Sequence, residues 1–201
     1  MGLIIDFFCI TVLITGLLRI KDTYRLWPML VFLTASEITN IALYIPLPPN
    51  TSRHIYMSFI IVEAGCFVIF FKDILKLKQF LFIVACALLL LFVFINIRSR
   101  DIAFTTFVRV SPPILIVFGC TFYFFNLLRE TYSGSPAKSP HFWIVAGASL
   151  HFLLSFPSSF FNQILIDRYL LLETISSITT EFSYLILYLC IFKAFLCKTS
   201  N

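Results

Sequence analysis

The chain has 201 residues, 60% of them hydrophobic and only 12% charged, with a formal net charge of +5. Soluble domains run nearer to about 45–50% and about 25%, so these proportions exclude a soluble globular domain. The positive excess is small and scattered, without the basic stripe that nucleic-acid binding requires, so no nucleic-acid partner is expected.

Seven apolar stretches follow one another along the chain, at Leu3–Leu18, Trp27–Ile45, Ile55–Phe71, Phe80–Ile97, Ile102–Leu128, Phe142–Phe161 and Tyr169–Phe195. A helix rises ~1.5 Å per residue, so ~20 residues cross ~30 Å of hydrocarbon. Breakers and charges separate the stretches: Arg19 to Arg25, Pro46 to Asn50, Lys72 to Lys78, Arg98 to Asp101 and Ser133 to Pro136. The sixth separator, Asn162 to Arg168, carries the weakest break. The expected fold is all-α: a single-domain polytopic bundle of seven transmembrane helices over residues 1–201, with no length left for a soluble domain. The N-terminus lacks a basic n-region and a small-residue cleavage site, so the first helix is expected to stay.

Orientation follows from Lys and Arg. Ten fall on the side of the loops after spans one, three and five and of the C-terminal end: Arg19, Lys21, Arg25, Lys72, Lys76, Lys78, Arg129, Lys138, Lys193 and Lys198. Four fall on the other side: Arg53, Arg98, Arg100 and Arg168. The positive-inside rule then puts the N-terminus outside and the C-terminus in the cytoplasm of a multi-pass protein of the inner (plasma) membrane. No internal repeat stands out. The six cysteines all lie within or at the ends of apolar spans, with no Cys-x-x-Cys, and read as small packing residues.

Three spans carry a carboxylate at depth. Counted from the nearer edge of its span, Glu37 lies ~15 Å in, Glu63 ~12 Å, Glu181 ~18 Å and His151 ~14 Å. A charge at the centre of a span costs ~2.5–3.5 kcal/mol on insertion scales, which makes each such residue a functional candidate. Helical spacing groups them with other polar side chains. Glu37, Asn40 and Tyr44 form one stripe, Tyr56 and Glu63 a second, and Ser177, Glu181, Tyr184 and Tyr188 a third. The candidate ligand-binding set is Glu37, Asn40, Glu63, His151, Glu181 and Arg109, with the three carboxyls expected within about 10 Å of one another or of His151, roughly one helix–helix spacing. The bland reading stands beside it: buried polar residues also serve to hydrogen-bond helix to helix. For Asn40, Ser149, Ser155, Ser176 and Ser177 the bland reading outweighs a functional one, and a lone interior His151 is more often a satisfied histidine. Arg109 precedes Ser111-Pro112-Pro113, where paired prolines predict a bend or a new helix start.

Several chemistries find no motif. The last span has no central lysine for retinal, since Lys193 lies near its end. His141 and His151 are ten residues apart, roughly 80° off one helical face, which does not suit a zinc hydrolase of the ceramidase type. No HExxH, GxSxG or phosphate loop occurs, and no cofactor or metal is expected.

The segments Phe32 to Ile38, Ile55 to Glu63 and His141 to Gly147 resemble recurrent features of uncharacterised bacterial seven-helix integral membrane proteins. Those proteins share a glutamate in span two, a Tyr-to-Glu helix in span three and a Phe-Trp entry to span six. The resemblance implies fold and topology and carries no activity with it. The leading functional expectation is a receptor-like or small-molecule-binding membrane protein with an intramembrane acidic site. Its expected partners are membrane lipids and a small hydrophobic or cationic ligand. With six residues after Phe195, output is expected to pass by helix movement to a membrane or cytoplasmic protein partner. A lipid hydrolase using the carboxylates as general acid or base, and a proton- or cation-coupled carrier, are the alternatives.

Overall fold

In the computed structural model every regular element among the described residues is helical. The structure describes residues 2–19, 24–75, 84, 87–88, 91, 102–129, 135–165 and 170–197. Six α-helices occupy them: α1 Gly2–Leu18, α2 Trp27–Tyr44, α3 Pro49–Ile74, α4 Ile102–Arg129, α5 Pro140–Leu165 and α6 Leu170–Leu196. Short 3-10 turns at Tyr24–Leu26 and Pro136–Lys138 lead into α2 and α5.

Proline explains where several helices begin. Its missing N–H is no loss in the first turn, where no helical acceptor exists, and its φ suits the helix. Pro28 sits in the first turn of α2, Pro49 opens α3, and Pro140 opens α5. The α3 helix thereby starts six residues before the apolar stretch does, over the polar run Asn50 to His54. The paired prolines of α4 do not start a new helix. Pro112 and Pro113 lie inside one helix running from Ile102 to Arg129. Two adjacent prolines withdraw only two backbone donors, and the ladder resumes beyond them. Hydroxyls are satisfied inside their own helices: Thr15, Thr34, Ser58, Thr121 and Thr179 each donate to the carbonyl four residues back, at 2.8–2.9 Å.

Among the described residues, three helical segments are long and apolar enough to cross a membrane: His54–Ile74 in α3, Pro112–Arg129 in α4 and Thr174–Leu196 in α6. The apolar segment Ile4–Leu18 of α1 is shorter. Large apolar side chains stand exposed along α1 (Phe7, Ile14), α4 (Phe118, Phe125) and α6 (Ile178, Phe182), where a protein in water would rarely leave such patches. Length, composition and exposure together point to membrane association. The fourth expected span, Phe80–Ile97, lies outside the described residues apart from Val84, Ala87, Leu88 and Leu91.

The chain divides into two compact units, residues 9–112 and residues 1–8 with 113–201. In the first, α2 and α3 form an antiparallel hairpin closed by the segment Ile45 to Pro48, and α1 reaches α2 through the Cys9 thiol, which lies 3.8 Å from the Leu33 carbonyl. In the second, α5 and α6 form the principal hairpin, and Phe124 of α4 meets Phe142 of α5 edge-on.

Candidate functional site

The α2–α3 seam is built of rings. Phe32 lies between Phe59 and Phe67, with centroids 6.1 and 5.8 Å away, and Phe67, Phe70 and Phe71 continue the cluster along α3. Glu63 falls midway between Phe59 and Phe67, four residues from each, so it stands in the row of α3 that faces Phe32. Glu37 lies five residues beyond Phe32, four after Leu33, on the buried face of α2. The two carboxyl-bearing positions are therefore offset by about 7.5 Å along the helix axes.

Both glutamates are deeply covered, Glu37 at 7% exposure and Glu63 at 6%. In each, Oε1 is a buried oxygen to which no hydrogen bond is made, while the side chain takes part in other interactions. Burial is graded along the stripe. From Glu37, exposure rises through half-buried Asn40 to exposed Tyr44 at the hairpin's closed end. Exposed His54 and Tyr56 begin α3 at that same end, before buried Glu63. A polar track thus leads from one end of the hairpin to two buried carboxyls among phenylalanines.

The α5–α6 hairpin treats its polar residues differently. His151 is 2% exposed and Ser183 is fully buried. Ser183 Oγ lies 2.7 Å from the Thr180 carbonyl oxygen and 2.9 Å from His151 Nδ1. A hydroxyl has one hydrogen, so a Ser183 hydroxyl that donates to Thr180 accepts from Nδ1–H, and one turned to His151 donates to a bare Nδ1; the tautomer decides which. The imidazole is also packed between rings, Tyr184 at 4.2 Å and Phe152 at 4.7 Å. Small residues let the helices close up: a Cβ on Gly147 would stand 2.6 Å from Cys190 Cβ.

The sequence-derived set therefore divides. Glu37, Asn40 and Glu63 sit on one hairpin in the first unit. His151 and Glu181 sit on the other hairpin in the second, where Glu181 is half-buried. Of the third stripe, Ser177 is exposed, Tyr184 half-buried with its ring tilted against that of Tyr188 at 6.0 Å, and Tyr188 buried. Arg109 belongs to α4, and its side chain lies outside the described residues. Sequence reasoning missed Ser183, the residue that satisfies His151. Its signal was a spacing of seven from Ser176, which is also buried. Among the described residues, no group of three or more His, Cys, Asp and Glu side chains could hold a metal ion. No protein-family model matches the chain, and no curated protein or solved structure matches it either.

Proposed function

We propose that this chain is a seven-helix plasma-membrane protein, N-terminus outside and C-terminus cytoplasmic. In this reading it is receptor-like and binds a small hydrophobic or cationic molecule at the α2–α3 hairpin. One observation carries the reading: Glu37 and Glu63 are buried on facing helices in a largely apolar seam that includes the rings of Phe32, Phe59 and Phe67. Carboxyls are expensive at such a place and are poor helix glue compared with Ser, Thr or Asn. Phenylalanine faces beside a carboxyl also suit a cation that carries apolar groups. The graded stripe through Asn40 and Tyr44 supports entry from one end, as a receptor needs, over a path reaching both faces, as a carrier needs.

Thermal unfolding of the purified protein against a panel of quaternary ammonium amphiphiles, monovalent cations and neutral lipids tests this. A cationic amphiphile should raise Tm, by an increment that grows with concentration as mass action requires. Glu37→Gln and Glu63→Gln should keep expression and lose that response. A response to neutral lipids alone, or one untouched by either substitution, would overturn the reading. Stabilisation by small inorganic cations alone would favour the carrier. For orientation, reporter fusions at the two ends should be active on opposite sides. The same sidedness at both ends would mean an even number of spans.

A further inference from the structure

At one end of the second unit, aromatic and cationic side chains are brought together by three separate elements. Tyr123 and Phe124 near the end of α4 meet Phe142 and Trp143 at the start of α5 in a ladder of edge-on contacts, with centroids 5.7, 6.2 and 5.7 Å apart. The 3-10 turn Pro136–Lys138 is tied to this ladder, because Trp143 Nε1 donates to the Ala137 carbonyl at 2.7 Å. Arg129 in the last turn of α4 and Lys138 at the end of the 3-10 turn are both exposed. The antiparallel packing of Gly147 against Cys190 brings the last turn of α6, with exposed Lys193, to the same end. Beside the cations stand exposed Phe125 and Leu128. The sequence connecting α4 and α5, residues 130–139, holds one acidic residue, Glu130.

Aromatic ladders with flanking Lys and Arg suit the boundary between hydrocarbon and headgroups, where the rings sit at the level of the glycerol and the cations reach the phosphate. Here the arrangement is more than a belt. The Trp143 bond holds the 3-10 turn against α5, which fixes Lys138 at the end of the unit where α4 finishes. We propose that this end of the unit, built from Arg129, Lys138, Lys193 and Trp143, is a binding surface for the headgroup of an anionic phospholipid. The inference rests on the membrane-spanning reading and not on the ligand proposed for α2–α3. Apolar side chains next to the cations favour a lipid, whose acyl chains need such a surface, over a soluble anion.

The test uses the whole chain carrying Trp27→Phe, which leaves Trp143 as its one tryptophan. It is placed in phosphatidylcholine nanodiscs containing brominated phosphatidylglycerol or, at the same mole fraction, brominated phosphatidylcholine. Trp143 fluorescence should be quenched more strongly by the anionic lipid. Replacing Arg129, Lys138 and Lys193 by Gln should weaken the preference about fivefold per cation in low salt. Arg129→Lys with Lys138→Arg should retain it, which separates charge from local structure. Equal quenching by the two lipids, or a preference that survives all three Gln substitutions, would overturn the headgroup surface. Quenching by neither would overturn the membrane reading along with it. Inorganic phosphate that relieves the quenching better than chloride at equal ionic strength would make this a soluble-anion site and overturn the lipid assignment.

Discussion

The two hairpins meet the same difficulty, polar side chains within an apolar helix pair, with opposite materials. In α2–α3, phenylalanine rings fill the seam and two glutamates are buried among them. In α5–α6, a glycine lets the backbones approach, and the buried histidine is hydrogen-bonded to the hydroxyl of Ser183. Small residues and saturated hydrogen bonds are how helices associate in lipid, where the hydrophobic effect supplies little. The α5–α6 seam fits that description, and we read His151 there as structural. The α2–α3 seam also buries small residues, Ser36, Thr39, Ala64 and Cys66, but adds two carboxyls, which bring a cost that such residues do not. Location in the chain says little about this difference, since both sets lie at similar depth in their helices.

Substitutions can break the comparison, beginning with the largest. Phe32 touches two rings of α3 and is fully buried, so Phe32→Ala should open a cavity in the first hairpin. In water such a change costs about 3–5 kcal/mol; in lipid, with the transfer share removed, about 2–3 kcal/mol of lost packing should remain. Denaturant unfolding in mixed micelles would measure it. A loss below about 0.5 kcal/mol would show that the ring cluster does not hold the seam.

Next comes the close approach at Gly147. Gly147→Ala should cost about 1–3 kcal/mol, because the methyl meets a Cβ instead of the movable end of a side chain. Cys190→Gly removes that Cβ, so the double variant should recover at least half of the loss. The absence of any rescue would place the strain elsewhere.

Smaller still is the coupling between His151 and Ser183. A double-mutant cycle with His151→Gln and Ser183→Ala should give about 0.6 kcal/mol and no more than about 1.7 kcal/mol, the range of hydrogen bonds between membrane helices. A coupling near zero would argue that the histidine is held by its rings alone.

Much of the helix layout was legible. The span at Trp27–Ile45 became α2 at Trp27–Tyr44, and Ile102–Leu128 became α4 at Ile102–Arg129, because hydropathy changes abruptly at both ends of each. The start of α3 was not legible, since Pro49 begins a helix over polar residues that a hydropathy window cannot see. Burial within the protein was legible for Glu37, Glu63 and His151, while Glu181 is half-buried. Partnership was not. That His151 meets Ser183, and Gly147 meets Cys190, depends on the register of α5 against α6. Register is set by the turn between them and by side-chain fit, neither of which spacing within one helix reveals. The prolines of α4 show the limit of a local rule: of the bend or new helix start that they suggested, the start does not occur, since one helix runs from Ile102 to Arg129.

The central claim is that the buried carboxyls of α2–α3 are held for function while the polar pair of α5–α6 holds structure. Unfolding free energies in a lipid bilayer test it without any knowledge of the ligand. Glu37→Gln and Glu63→Gln keep the shape of the side chain and remove its ionisable group. They should leave stability unchanged or raise it, whereas Ser183→Ala should lower it by about 1 kcal/mol. If the two Gln variants instead lose as much as Ser183→Ala, the carboxyls are helix glue and the proposed site falls.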